Sequence, residues 1–172
     1  MLLIYRAAAV GTYLSSNPNL GIAEGRCRPN EPGPALIVSA EGLKDLQGSL
    51  KLEVYPSNDQ DFLADDNVLL NAGKTFRRVV QPVKGRKNNI LCIRVPVAGA
   101  YSILLLHDRN NNRKFNLSSD GVGLPGNPKL KLSKPRASVA RVQASTGLTH
   151  VNILLNYRSG LFSMGPVAHE SR

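Results

Sequence analysis

The feature that most constrains this chain is an apolar run, Gly99 to Asp108 (GAYSILLLHD), that stops abruptly in a polar loop, RNNNRKFNLSSDGVGLPGNP. Successive side chains of a strand point to opposite faces, so Tyr101, Ile103 and Leu105 share one face while Ser102, Leu104 and Leu106 share the other. Both faces are largely apolar, which marks a central strand covered on both sides. Asp108, Asn110, Asn111 and Asn112 tolerate left-handed backbone and bond their own main chain, so the strand ends there. The next strand-like run starts near Ser138. A connection of about thirty residues is long inside a compact domain, and such loops tend to carry function.

The remaining periodic segments are also strands. Leu50, Leu52 and Val54 alternate with Lys51, Glu53 and Tyr55, which predicts a half-buried strand with its charges outward. Leu36 to Ala40 is its expected antiparallel partner, joined to it by a turn over Gly42 to Gly48. Ser57 to Leu70 reads as a loop or short helical turn anchored by Phe62 and Leu63. Phe76 to Val83 and Asn89 to Val95 are two more strands separated by the basic turn Lys84-Gly85-Arg86-Lys87. Ser138 to Ala144 and Leu148 to Tyr157 form an expected hairpin through Ser145-Thr146-Gly147, with Val151, Ile153, Leu155 and Tyr157 on one face. That makes about seven strands and no long amphipathic helix. The expected fold is all-β, a two-sheet antiparallel sandwich of immunoglobulin size. With 42% hydrophobic residues, no Trp and only four Phe in 172 residues, its core has to be built from Val, Leu and Ile.

The chain divides into an N-terminal arm at 1–34, a sandwich domain at 35–160 and a tail at 161–172. The arm opens on MLLIYRAAAVGTYLSS, too short an apolar stretch to span a bilayer. It is either the remnant of a secretory signal or an apolar arm. Residues 17–34 are rich in Pro, Gly and Asn, and read as linker around Cys27.

Three segments together carry a resemblance: GAYSILLL followed by HDRNNNRKF at 107–115, the Gly-rich GVGLPGNP at 121–128, and the closing NILLNYRSGL at 152–161. They resemble the bacterial family filed as domain of unknown function 2141, over roughly residues 35–160. The Gly-Phe-Ser-Asn-Asn-like segment of that pattern is replaced here by Gly123-Leu124-Pro125-Gly126-Asn127-Pro128. The resemblance implies a secreted or periplasmic, immunoglobulin-like or prealbumin-like β-sandwich. It supplies no catalytic residue.

Candidate chemistry is sparse. Cys27 and Cys92 have neither metal-ligand spacing nor a Cys-x-x-Cys signature, which leaves a structural disulfide in an exported protein or two buried thiols in a cytosolic one. Asp108, Asn110 and Asn112 occupy positions 1, 3 and 5 of a calcium-loop pattern, with the Lys114 carbonyl at position 7. However, the turn position that needs Gly is Arg113, and the position that needs a bidentate carboxylate is Ser119, with Asp120 one place late. Arg109, Arg113 and Lys114 oppose a dication as well. The expectation is an Asx-rich turn, no metal and no cofactor. His107 beside Asp108 suggests an oriented imidazole, but the sequence marks neither nucleophile nor substrate group for it.

Charge is distributed unevenly. Residues 41–66 hold seven acids and two bases, residues 67–107 seven bases and no acid, and residues 108–141 eight bases and two acids. Either the basic blocks pair with Asp59, Asp61, Asp65 and Asp66, or they meet an anionic partner such as an envelope polymer or lipid head groups. The anion-binding candidates are Arg109, Arg113, Lys114, Lys129, Lys131, Lys134 and Arg136. No aromatic residues interleave with these bases, so nucleic acid is not expected. The reading is an extracytoplasmic, non-enzymatic binding or envelope-associated module. The competing reading is a small enzyme or metal-binding protein with its site at the His107–Asp108 strand end. A deep pocket containing His107 would favour the second.

Overall fold

The computed structural model describes residues 13–161 and 163–167; the opening stretch at 1–12 and half of the tail lie outside the described residues. Ten strands run in chain order: β1 Ala35–Glu41, β2 Ser49–Pro56, β3 Arg77–Pro82, β4 Ile90–Arg94, β5 Gly99–Asp108, β6 Gly121–Gly123, β7 Arg141–Ala144, β8 Leu148–Leu154, β9 Tyr157–Arg158 and β10 Met164–Gly165. Two short helices, α1 Ile22–Gly25 and α2 Asp66–Asn71, and a 3-10 turn at Ala137–Ala140 complete the described elements. The fold is all-β, with ten strands among the described residues where periodicity predicts about seven. The additional β6, β9 and β10 are two or three residues long, too short to leave a period in the sequence.

Strands β4-β1-β8 form one sheet, and β3-β2-β5-β6 form a second in which β7 also pairs with β5. The inward faces of the two sheets share one core: Leu36, Val38, Leu91, Ile93 and Ile153 from the first, and Leu50, Leu52, Val54, Ile103 and Leu105 from the second. As expected, β5 lies in the middle of its sheet, pairing with β2 on one side and with β6 and β7 on the other.

Its other face is covered too. Leu104 and Leu106 join Tyr55, Phe62, Leu69, Phe76, Leu124, Ala137 and Ala140 in a second apolar cluster outside the sheet. The segment ending in α2 and the chain after β6 therefore lie as a third layer over the five-stranded sheet. That layer buries Glu53 to 4% exposure and Arg78 to 8%. The charges of β2 do face away from the inter-sheet core, but they lie beneath this layer instead of in solvent.

Two expected pairings are overturned and one expected loop gains a strand. β1 does not pair with β2: it pairs antiparallel with β4 and parallel with β8, so the sheets are not wholly antiparallel. Gly42–Gly48 crosses between the sheets, with left-handed glycines at both ends and Leu43 buried in the core between them. Likewise β7 pairs with β5 while β8 pairs with β1, so Ser145-Thr146-Gly147 passes from one sheet to the other. Both connections are short enough for a hairpin; alternating burial within each strand gives its inward face but not its neighbour. Finally, the long connection after β5 is not featureless, since Gly121–Gly123 returns to pair with Leu105–His107.

Candidate functional site

His107 closes β5 and is fully buried. Its Nε2 lies 2.7 Å from the Gln47 carbonyl oxygen and its Nδ1 2.7 Å from the Tyr157 hydroxyl. A carbonyl only accepts, so Nε2 carries the proton. In the neutral ring Nδ1 then accepts from Tyr157, whose oxygen itself accepts the Lys44 backbone N–H at 3.0 Å. Both ring nitrogens are thus committed to one chain of bonds joining β5, β9 and the 42–48 crossing. Burial pushes the Tyr157 hydroxyl up to about 12, which keeps it protonated for this role. None of the clefts described below is lined by His107.

The loop after it is held by its own Asn and Asp side chains. Asn110 Oδ1 accepts the Asn112 N–H and Asn112 Oδ1 accepts the Lys114 N–H, the Asx turns expected from the sequence. Asp108 Oδ2 accepts the Arg113 N–H at 2.7 Å, while the buried Oδ1 has no hydrogen-bond partner among the described residues. The carboxylate of Asp120, one place late for a calcium loop, accepts the Arg109 and Asn116 backbone N–H groups.

The basic candidates divide into two groups. Arg109 is spent inside the fold, pairing with Asp45 through Nε at 2.7 Å and through Nη2, and donating to the Ser119 carbonyl at 3.0 Å. Hydrogen bonding to Arg109 holds the Asp45 carboxyl below its usual range. Arg113, Lys114, Lys129, Lys131, Lys134 and Arg136, by contrast, enter no ion pair among the described residues. Nor do the acids between 57 and 66 neutralise them. Asp61 pairs with Lys74, Asp66 with Arg78, and Asp59 accepts the Ala137 N–H through its side chain, while Asp65, which borders the larger cleft, enters no ion pair among the described residues. Lys134 reaches only the Asp59 backbone carbonyl, at 3.3 Å.

All six line clefts on the outer side of the five-stranded sheet. The larger, about 920 Å³, lies between the sheet and the segment Pro128–Arg136, every residue of which borders it. Its floor is apolar over Leu104, Leu106, Val122 and Leu124, with Tyr55 and Phe76 beside them. At one end sits a network that sequence reading missed: Arg78 bonds Glu53 at 2.8 Å and Asp66 at 3.3 Å, and Tyr55 donates to Glu53 at 2.7 Å. Lys51 stands 3.4 Å from Glu53, and Ser16 of the N-terminal arm donates to Asp66 at 2.5 Å. Two cations face two carboxylates, so the floor carries no net charge. The sequence did hold a signal for it. An apolar outer face on β5 demands a cover, and a cover over β5 extends onto Glu53, which is in register with Leu104.

A smaller cleft of about 400 Å³ shares Ser16, Lys51, Asp66 and Arg78 with the first and is bordered by Arg113 and Lys114. The Cys27–Cys92 disulfide, with Cα atoms 5.9 Å apart, ties the arm that supplies Ser16 to β4.

These features define a class: an all-β protein of stacked sheets whose outer face carries an apolar cleft with a neutral, ion-paired floor and a basic rim. The chain belongs to a bacterial family, described as uncharacterized protein conserved in bacteria (DUF2141), whose model matches residues 38–152. The match runs from within β1 to within β8, including the cleft floor and the Pro128–Arg136 segment. No curated protein and no solved structure matches the chain significantly.

Proposed function

We propose that this protein is a non-enzymatic, extracytoplasmic binding module that associates with anionic lipid surfaces through the basic rim of the outer cleft. One observation carries this reading. Phe115 and Leu132, exposed to 47% and 42%, border the cleft among unpaired Lys114, Lys129, Lys131 and Lys134. Apolar side chains that enter a bilayer interface, flanked by cations that meet anionic head groups, are how a peripheral protein holds a membrane surface. No helix among the described residues is long and apolar enough to cross a membrane.

A periplasmic or secreted location is supported by the Cys27–Cys92 disulfide, because such bonds persist in oxidising compartments. The finer architecture we infer is an immunoglobulin-like or prealbumin-like sandwich, supported by two sheets that share one apolar core. The enzyme reading at His107 and Asp108 finds little support, because both imidazole nitrogens are bonded inside the fold.

Co-sedimentation with phosphatidylglycerol vesicles and with phosphatidylcholine vesicles, at low and at physiological salt, tests the proposal. The expected result is retention on the anionic vesicles that weakens as salt rises. Equal retention on both would contradict it, and an anionic polysaccharide that competes the protein off the vesicles would reassign the rim to an envelope polymer.

A further inference from the structure

We propose that the outer cleft holds one acyl chain of a single-chain anionic amphiphile, with the anionic head at the lysines of Pro128–Arg136. The proposal rests on the anionic-lipid reading above and goes further, from contact with a surface to uptake of one molecule. Three independent features of the cleft agree on that ligand.

The first is size and lining. Pockets that bury small ligands span about 300–1,000 Å³ and are mostly apolar with a few placed polar groups, and this cleft of about 920 Å³ lies at the upper end. Leu104, Leu106, Val122 and Leu124 give it a continuous aliphatic floor suited to methylenes. The second is the placement of charge. Arg78, Lys51, Glu53 and Asp66 are mutually paired at the floor, so a buried chain meets no net charge there. Lys129 and Lys131 lie on the segment that roofs the cleft and enter no ion pair among the described residues, so net positive charge is concentrated at the mouth. An anionic head left at the mouth and an apolar tail laid over the floor fit that division.

The third is the roof itself. Between Pro128 and Pro135 no backbone group makes a backbone hydrogen bond among the described residues. The segment is held at its ends, where Asn127 Oδ1 accepts the Leu154 N–H at 2.8 Å and Asp59 Oδ1 accepts the Ala137 N–H at 2.7 Å. Leu130 packs against the apolar cluster and Leu132 does not. A strap fixed at both ends, with no ladder along its length, lifts to admit a chain without breaking any sheet pairing.

Calorimetric titration of the full-length protein with palmitate below its aggregation limit, with no vesicles present, tests the proposal. The expected result is one palmitate per chain, with affinity rising about threefold to fourfold per methylene from decanoate to palmitate. Hexadecanol, which lacks the charge, and acetate, which lacks the chain, should each bind at least tenfold more weakly. Ala64→Trp fills the cleft, and Leu132→Glu places a carboxylate on its exposed border; each should lower palmitate affinity at least tenfold with the circular dichroism spectrum unchanged. Absence of palmitate binding overturns the proposal, as does binding that neither variant weakens. If palmitate fails while anionic vesicles still retain the protein, surface association stands and uptake falls. If both fail, both readings fall.

Discussion

Tyr157 places one hydroxyl between the part-buried Lys44 backbone N–H and the buried His107 Nδ1. Tyr157→Phe leaves both without a partner, which should destabilise the fold by about 1–3 kcal/mol, read as a lower urea midpoint at unchanged slope. Its raised pKa has a defined sign. Between about 10, the unfolded value, and about 12, the folded one, the folded state binds more protons, so stability falls as pH rises through that window. The variant should flatten the alkaline decline without abolishing it, because burial also raises Tyr55 well above its ordinary value. A midpoint equal to that of the parent protein would show that the hydroxyl is dispensable. A second residue-scale expectation concerns Gly121, where an added Cβ would lie 2.5 Å from the Tyr157 ring. Gly121→Ala should cost about 1–3 kcal/mol through overpacking, and an unchanged melting temperature would refute the close approach. The alternating pattern placed Tyr157 and His107 at strand ends, but not against each other. Their contact spans 50 positions and is fixed by how the sheets stack, which local periodicity does not encode.

The strands themselves were readable because alternation survives in any half-buried strand, as in Leu50, Leu52 and Val54 or Ile103 and Leu105. Their neighbours were not, because a crossing such as Gly42–Gly48 and a hairpin turn use the same residues. Two elements can be tested by perturbation. The arm is held by Cys27–Cys92, by the Arg78 N–H donating to the Gly21 carbonyl, and by the Arg26–Ile93 bridge. With 65 positions enclosed, loop entropy assigns the disulfide about 4 kcal/mol. Reduction should lower the melting temperature and speed tryptic cleavage after Arg26. If the oxidised and reduced proteins were cut equally fast, the arm would not depend on the bond. The strap is the other element. Lacking backbone bonds from Pro128 to Pro135, it should be cut by trypsin after Lys129 or Lys131 before any strand is cut. First cleavage within β2, after Lys51, or within β3, after Arg77 or Arg78, would contradict that.

At the scale of the whole molecule, the formal charge of +10 matters less than where it lies. The sequence showed the basic blocks, and the structure decides between pairing and exposure. Of the acids between 57 and 66, Asp61 and Asp66 are taken by Lys74 and Arg78, Asp59 accepts the Ala137 N–H, and Asp65 pairs with no cation among the described residues, which leaves the strap lysines facing outward without ion pairs. Sequence alone could not assign those partners, since each acid had several basic residues to choose from. Each cation near an anionic membrane surface contributes about 1 kcal/mol, so the position of three lysines has a measurable effect. The most direct measurement compares two charge reversals of equal size: Lys129, Lys131 and Lys134 to Glu on the strap, and Lys84, Arg86 and Lys87 to Glu in the turn between β3 and β4, which borders none of the clefts. Partition onto phosphatidylglycerol vesicles should fall on the order of a hundredfold for the strap variant and far less for the turn variant. Equal losses would mean that net charge alone drives binding, and no loss in either would mean that the strap does not meet the membrane.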